Sequence, residues 1–283
     1  MSAPTITTSR AIPEAHPSGG LLAAASEPSG RAGALAASAT FGWRAILKIK
    51  HDPKQLTDVI AIPVVFTVLF TYIFGGALGG TPGRYLTALL PGTLVMGINA
   101  CTMYGGARLA ADVTTGVSDR FRSLPVWRGA HVVGSLLGDA GRYLLAAGIV
   151  VTLGVAIGYR PDGGAPGVIA AVTLVIAFGL ALSWLFATIA LLVRNPTTVM
   201  SLGLAITMPL TFASNIFVQP RTMPGWLRAF VGINPTSQLA DAARDLMNNT
   251  SGGAGPVAWS LITIVAITLV FGLLTLHLYN RQA

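Results

Sequence analysis

Six stretches nearly free of charge, each about as long as a helix needs to cross a bilayer, leave this chain few ways to fold. They fall at about residues 59–78, 85–107, 132–159, 168–193, 197–218 and 257–278. A run of about 20 apolar residues matches the hydrocarbon thickness of a membrane. In lipid such a run must satisfy its own backbone polar groups, which a helix does. The composition agrees: only 10% of the residues are charged, against about 25% in an ordinary soluble domain. The expected fold is all-α, a polytopic membrane protein with six transmembrane helices.

A net charge of +8 would suit a nucleic-acid ligand. The cations, however, cluster at the ends of the apolar runs, where they orient a chain in a bilayer, so no nucleic-acid partner is expected. With both termini inside, 13 of the 18 Lys and Arg residues fall on the cytoplasmic side and five outside. The expected location is therefore the plasma membrane, multi-pass, with cytoplasmic termini. The single cysteine, Cys101, excludes an internal disulfide and any cysteine-based metal cluster, and inside an apolar run it reads as a packed thiol.

Residues 1–33 are rich in Ala, Ser, Pro, Gly and Thr without apolar period, and read as a disordered tail ahead of a membrane domain over 34–283. No compact apolar core follows the few charges of that tail, so it is not a signal peptide. In 34–52, Arg44, Lys48 and His51 fall on one helical face and Trp43, Ile46 and Leu47 on another. That pattern is an interfacial helix lying on anionic membrane lipid, or a basic flank of the first span. Between the second and third runs, residues 112–127 place Val113, Val117, Phe121 and Leu124 at helical spacing beside Arg120 and Arg122, and Pro125 ends the pattern. This is either a short amphipathic helix on which a soluble partner can push, or a solvated cytoplasmic loop.

Residues 219–255 are too polar to span yet carry Met223, Trp226, Leu227, Phe230 and Val231. Asn234 is placed to cap a helix with Pro235 at its first position, running through about 237–247 until the Asn248-Asn249 and Gly252-Gly253 punctuation. Asp241 and Arg244 are spaced to pair on it. The expectation is an outer re-entrant or amphipathic segment that dips into the bilayer.

The chain lacks a G-x-x-x-x-G-K-[ST] loop and a G-x-S-x-G motif, and its four histidines lie far apart. No catalytic residue, metal site or enzyme activity is expected of it. Asp139 and Arg142 form an acidic–basic pair at i,i+3 in the third run, where local pairing gives them a structural role. Asn99, Thr102, Met103 and Tyr104 in the second run, with Met208, Thr211, Phe212 and Asn215 in the fifth, mix the groups that hold a bulky amphiphile. The same residues also suit helix–helix packing.

Two longer stretches carry a resemblance. GVSDRFRSLPV over 116–126 and SNIFVQPRTMPGWLRAFVGINPTSQLADAARDL over 214–246, with its MPGW and NPTSQ elements, resemble the type-2 ABC transporter permease family. The likeness is greatest to the branch holding the permease subunits of daunorubicin and doxorubicin exporters, and it runs from about residue 41 to the C-terminus. The resemblance implies that 112–127 is a cytoplasmic coupling helix, docking a separate ATP-binding subunit through Gly116, Asp119, Arg120, Phe121, Arg122, Leu124 and Pro125. It implies that Trp43, Arg44, Leu47 and Lys48 belong to an interfacial connecting helix. It further implies two permeases, identical or different, with two ATP-binding subunits that hold the ATP and Mg, so that this chain needs no cofactor. A candidate substrate cleft then comprises Phe66, Phe70, Asn99, Met103, Met208, Thr211 and Asn215. The expected function is export of a drug-like or lipid amphiphile by alternating access. Alternatives are export of a polysaccharide or envelope glycolipid, against which the scarcity of acids in the spans speaks, and a membrane scaffold without transport.

Overall fold

The structure, a computed structural model, describes residues 53–115, 130–218, 220–250 and 254–281. The tail, the interfacial segment with Trp43, Arg44, Leu47 and Lys48, and the Gly116, Asp119, Arg120, Phe121, Arg122, Leu124 and Pro125 cluster lie outside the described residues. Eight α-helices are described: α1 (Pro53–Gly79), α2 (Pro82–Thr114), α3 (Ala130–Ile157), α4 (Gly164–Val193), α5 (Pro196–Phe212), α6 (Gly225–Ile233), α7 (Pro235–Asn248) and α8 (Gly255–Arg281). A single 3-10 turn, Pro220–Thr222, precedes α6. Among the described residues there is no strand.

Among the described residues, four helices are long and apolar enough to cross a membrane: α2, α3 over Gly134–Ile157, α4, and α8 over Gly255–Leu278. The first and fifth runs appear as the shorter apolar stretches Pro63–Ala77 and Pro196–Phe212. α2 continues past its apolar run to Thr114, so the first residues of the 112–127 stretch prolong that helix. α5 stops short of its run at Phe212, because Ser214 takes the Thr211 carbonyl and turns the chain.

The helix starts follow the chemistry of their ends. Thr81 caps α2 ahead of Pro82, Asn195 caps α5 ahead of Pro196, and Asn234 caps α7 ahead of Pro235. Each cap oxygen accepts an otherwise unpaired N–H, and each proline occupies a position whose N–H is not needed. Arg194 and Asn249 close α4 and α7 in the left-handed region, at φ 52° and 48°.

α2 is the central helix, with 83% of its most apolar stretch buried, whereas the corresponding figure for α8 is 11%. It touches α1, α3, α4, α5 and α7. Small residues let these neighbours close in, as expected where lipid gives helices no hydrophobic reason to associate. Gly106 lies against Phe186 of α4, and Gly203 of α5 against Met103. Polar pairs fasten the rest: the Tyr143 and Ser183 hydroxyls meet at 2.6 Å between α3 and α4, and those of Thr188 and Thr275 at 2.8 Å between α4 and α8.

Candidate functional site

The site is built around an interruption. From Ala213 to Val218 the chain leaves helical geometry, and the backbone carbonyls freed inside the bundle need donors. The side chains of α7 and α2 supply them. Asn234 Nδ2 donates to the Leu210 and Ala213 carbonyls, each at 2.9 Å. The Arg244 guanidinium donates to the Asn215 and Ile216 carbonyls at 2.6 and 3.3 Å. The Tyr85 hydroxyl donates to the Phe217 carbonyl at 3.0 Å.

α2 has a break of its own. Pro91 has no N–H, so the Thr87 carbonyl four residues earlier loses its helical donor. Asn248 Nδ2 donates to it instead at 3.1 Å, and Arg244 Nε donates to the next carbonyl, Ala88, at 2.8 Å. Arg244 thereby serves both interruptions, while Asp241 accepts from the same guanidinium at 2.9 Å. The planar fork of arginine suits such multiple acceptance, and lysine could not reproduce it.

α7 is pinned along its length. Its start lies beside the middle of α2, where Asn99 Nδ2 donates to Thr236 Oγ1 at 3.4 Å. Its end meets the α3–α4 turn: Gly163 N donates to the Met247 carbonyl at 2.9 Å, and the Tyr159 hydroxyl donates to Asn248 Oδ1 at 2.7 Å. Burial, reinforced by the Asp162 carboxylate, pushes the Tyr159 hydroxyl up to about 12, so it remains a donor at physiological pH. Glycine is required at 163 and 167, where a Cβ would collide with the Leu246 and Met247 backbone. By contrast α6 offers Trp226 and Ile233, at 75% and 71% exposure, to its surroundings.

Beside this tethered region lies an aromatic wall. Phe66, Phe70 and Phe74 follow one another on α1, and Phe212 and Phe217 approach from α5 and the interruption. Phe217 is the hub, with ring centroids 4.6 Å from Phe70, 5.5 Å from Phe212 and 6.0 Å from Phe66. Phe217 is buried, while Phe212 and Met208 present an exposed face. On the other side of Phe217 is a cavity of about 600 Å³, lined also by Tyr85, Leu89, Asn215, Arg221 and Asp241.

The candidate cleft residues thus fall into two sets. Phe66, Phe70 and Met208 lie on or beside the wall, with Thr211 buried behind Phe212 in the same turn. Asn215 is buried at the edge of that cavity, its Nδ2 donating to Asp241 Oδ2 at 2.7 Å. Asn99 and Met103 point into the bundle, toward Thr236 and Gly203. The side-chain amide oxygens of Asn99 and Asn215 are buried without a hydrogen-bond partner among the described residues. Sequence reasoning missed Phe217 and Tyr85, for which spacing within one run carries no signal. It also missed Arg108, which reaches Asp139 across 31 residues at 2.6 Å, beside the Arg142–Asp139 pair at 2.5 Å.

Comparison with known proteins puts this geometry in context. The ABC-2 type transporter family model matches residues 38–248. The chain is 42% identical over 262 residues to the daunorubicin resistance ABC transporter permease protein DrrB1 of Streptomyces coeruleorubidus, covering 93% of this chain and 92% of that one. It is 26% identical over 219 residues to the doxorubicin resistance ABC transporter permease protein DrrB of Mycobacterium tuberculosis, covering 74% and 75%. A third relative, the probable doxorubicin resistance ABC transporter permease protein DrrC of the same species, is 22% identical over 235 residues, covering 81% and 85%.

Proposed function

Because the chain belongs to the ABC-2 type transporter family, we propose that it is the membrane-spanning permease subunit of an ATP-driven exporter of an aromatic, drug-like amphiphile. It is a multi-pass membrane protein that associates with an ABC ATP-binding subunit. The observation that carries the substrate class is the aromatic wall, where Phe66, Phe70, Phe74, Phe212 and Phe217 join α1 to the end of α5. Ring faces at these separations suit a flat aromatic guest, and the buried side-chain amide oxygen of Asn215, which lines the same cavity as Phe217, suits its hydroxyl or ammonium groups.

In this reading six segments cross the membrane, with α1 and α5 as the two shorter ones. Both termini and residues 112–127 are cytoplasmic, and α6 and α7 form an outer re-entrant hairpin. Two permeases pair with two ATP-binding subunits, which hold the ATP and Mg. The family and the charge bias support this arrangement. Closure of the ATP-binding subunits drives the helices between two arrangements, in the manner of rigid-body switching around a fixed site.

The direct test is reconstitution with the ATP-binding partner in proteoliposomes. Daunorubicin should raise ATP hydrolysis above the basal rate and should be moved in an ATP-dependent manner. An active ATPase indifferent to drugs and lipids alike would sink the exporter reading.

The orientation has its own test in a Cys101→Ser background. Thr250→Cys, at an exposed position, should react with an impermeant maleimide added outside whole cells, and Ser118→Cys should not. The reverse pattern would turn the assigned topology over.

A further inference from the structure

We propose that Asp139 is a positioning residue that ties α2 and α3 into one lever, so that displacement of residues 116–129 is passed to α2 and from it to the outer helices. The proposal rests on the reading that 116–129 meets the ATP-binding subunit. α2 ends at Thr114 and α3 begins at Ala130, so a push on the intervening segment acts on both helices at once. Asp139 lies nine residues into α3, about 14 Å along it, and Arg108 six residues before the end of α2, about 9 Å. The tie therefore sits within the first turns beyond the segment.

One carboxylate oxygen of Asp139, a residue only 5% exposed, accepts from both Arg108 of α2 and Arg142 of α3. Among the described residues, Arg108–Asp139 is the only ion pair joining two different helices. The second carboxylate oxygen rests over Gly105, where a Cβ would lie 2.6 Å from it. The adjacent Gly106 presses on Phe186 of α4, so α2 is gripped from two sides at one level.

Stability alone does not explain the arrangement. Buried ion pairs lose much of their attraction to desolvation, and well-packed apolar side chains in their place are often as stable or more so. What a fixed carboxylate between two guanidiniums adds is direction: it sets the rotation and register of α2 against α3. Ionisable groups at membrane depth are retained where placement matters. Farther along, α2 touches α7 through Asn99–Thr236 and Ala88–Arg244, which completes a contiguous route from the partner side to the outer hairpin.

The test uses the full chain with its ATP-binding subunit in proteoliposomes, in a Cys101→Ser background. A reporter cysteine replaces Leu204, an exposed residue of α5 outside the candidate cleft. The readouts are co-purification, basal ATP hydrolysis, and the change in reporter reactivity on adding ATP and Mg. Asp139→Asn removes the charge. Gly105→Ala displaces the carboxylate with every charge retained, and Arg108→Asp, Asp139→Arg and Arg142→Asp together give the reversed pair with no like charges left facing each other.

Both single variants should co-purify and hydrolyse ATP at near the basal rate, yet show an ATP-driven reactivity change reduced at least about fivefold, the low end of ordinary coupling between sites. The reversed pair should recover most of it. Wild-type responses in both Asp139→Asn and Gly105→Ala would overturn the proposal. So would losses that merely track the amount of folded complex in all three variants. A wild-type complex that responds to ATP but not to drug would sink the exporter reading and leave the lever standing. Failure of the wild type to bind the ATP-binding subunit would end both.

Discussion

Arg244→Met should destabilise the permease by about 3–5 kcal/mol, the range seen when one partner of a buried charge network is removed. Methionine fills much of the volume, so the loss reads the guanidinium and not a void. Its departure leaves the Ala88, Asn215 and Ile216 carbonyls without that donor, while the part-exposed Asp241 carboxylate keeps only Asn215. Two helix interruptions fail together, because the same side chain repairs the break at Pro91 and the irregular 213–218 stretch. Arg244→Lys keeps the charge but presents no fork, and should fall between methionine and wild type. The measurement is thermal melting in detergent, followed by fluorescence-detected size exclusion. A melting point for Arg244→Met within a degree or two of wild type would show that water substitutes freely for the guanidinium.

What the sequence made legible here was local. Apolar runs announce helices by length: the runs at 85–107, 168–193 and 257–278 lie in helices of crossing length, and the run at 132–159 does so up to Ile157. Asn234-Pro235 announces the start of α7, and the i,i+3 spacings of Asp139–Arg142 and Asp241–Arg244 appear as real pairs. The halt of α5 at Phe212 was not legible, since Asn215 to Val218 are as apolar on average as many helical stretches. The halt depends on donors more than 20 residues away, on Asn234 and Arg244. The depth of α7 was equally hidden. Amphipathic spacing says which face of a helix is apolar, but not that its first turn lies beside Asn99.

The candidate cleft shows the same division. Residue chemistry selected Met208, Thr211 and Asn215 from the fifth run and the resemblance added Phe66 and Phe70 from the first, and those lie at or near the aromatic wall and its cavity. It could not separate them from Asn99 and Met103, whose side chains turn toward α7 and α5. A polar residue in a span looks alike whether it faces a cleft or a neighbouring helix. Phe217, the hub of the wall, lies beyond the last helical residue of α5, where no helical periodicity marks a face.

Phe217→Ala should therefore have the second large effect. Truncating a buried phenylalanine costs about 3–5 kcal/mol, and the upper part of that range applies where the surroundings cannot collapse. They cannot collapse here, because Tyr85 holds the Phe217 carbonyl and Arg244 holds the two before it. The vacated volume joins the 600 Å³ cavity on one side to the Phe66–Phe70–Phe212 face on the other. Phe217→Leu keeps most of the bulk but loses ring–ring geometry, a contribution of about 0.5–1.5 kcal/mol per aromatic pair. Two measurements separate packing from recognition: thermal melting, and ATPase stimulation by an aromatic drug against an aliphatic quaternary amine. The leucine variant should melt between alanine and wild type, with three ring pairs lost, while losing preference for the aromatic compound. The alanine variant should melt far lower. If alanine melted like wild type and both variants kept the preference, the ring would be a bystander at the edge of the bundle.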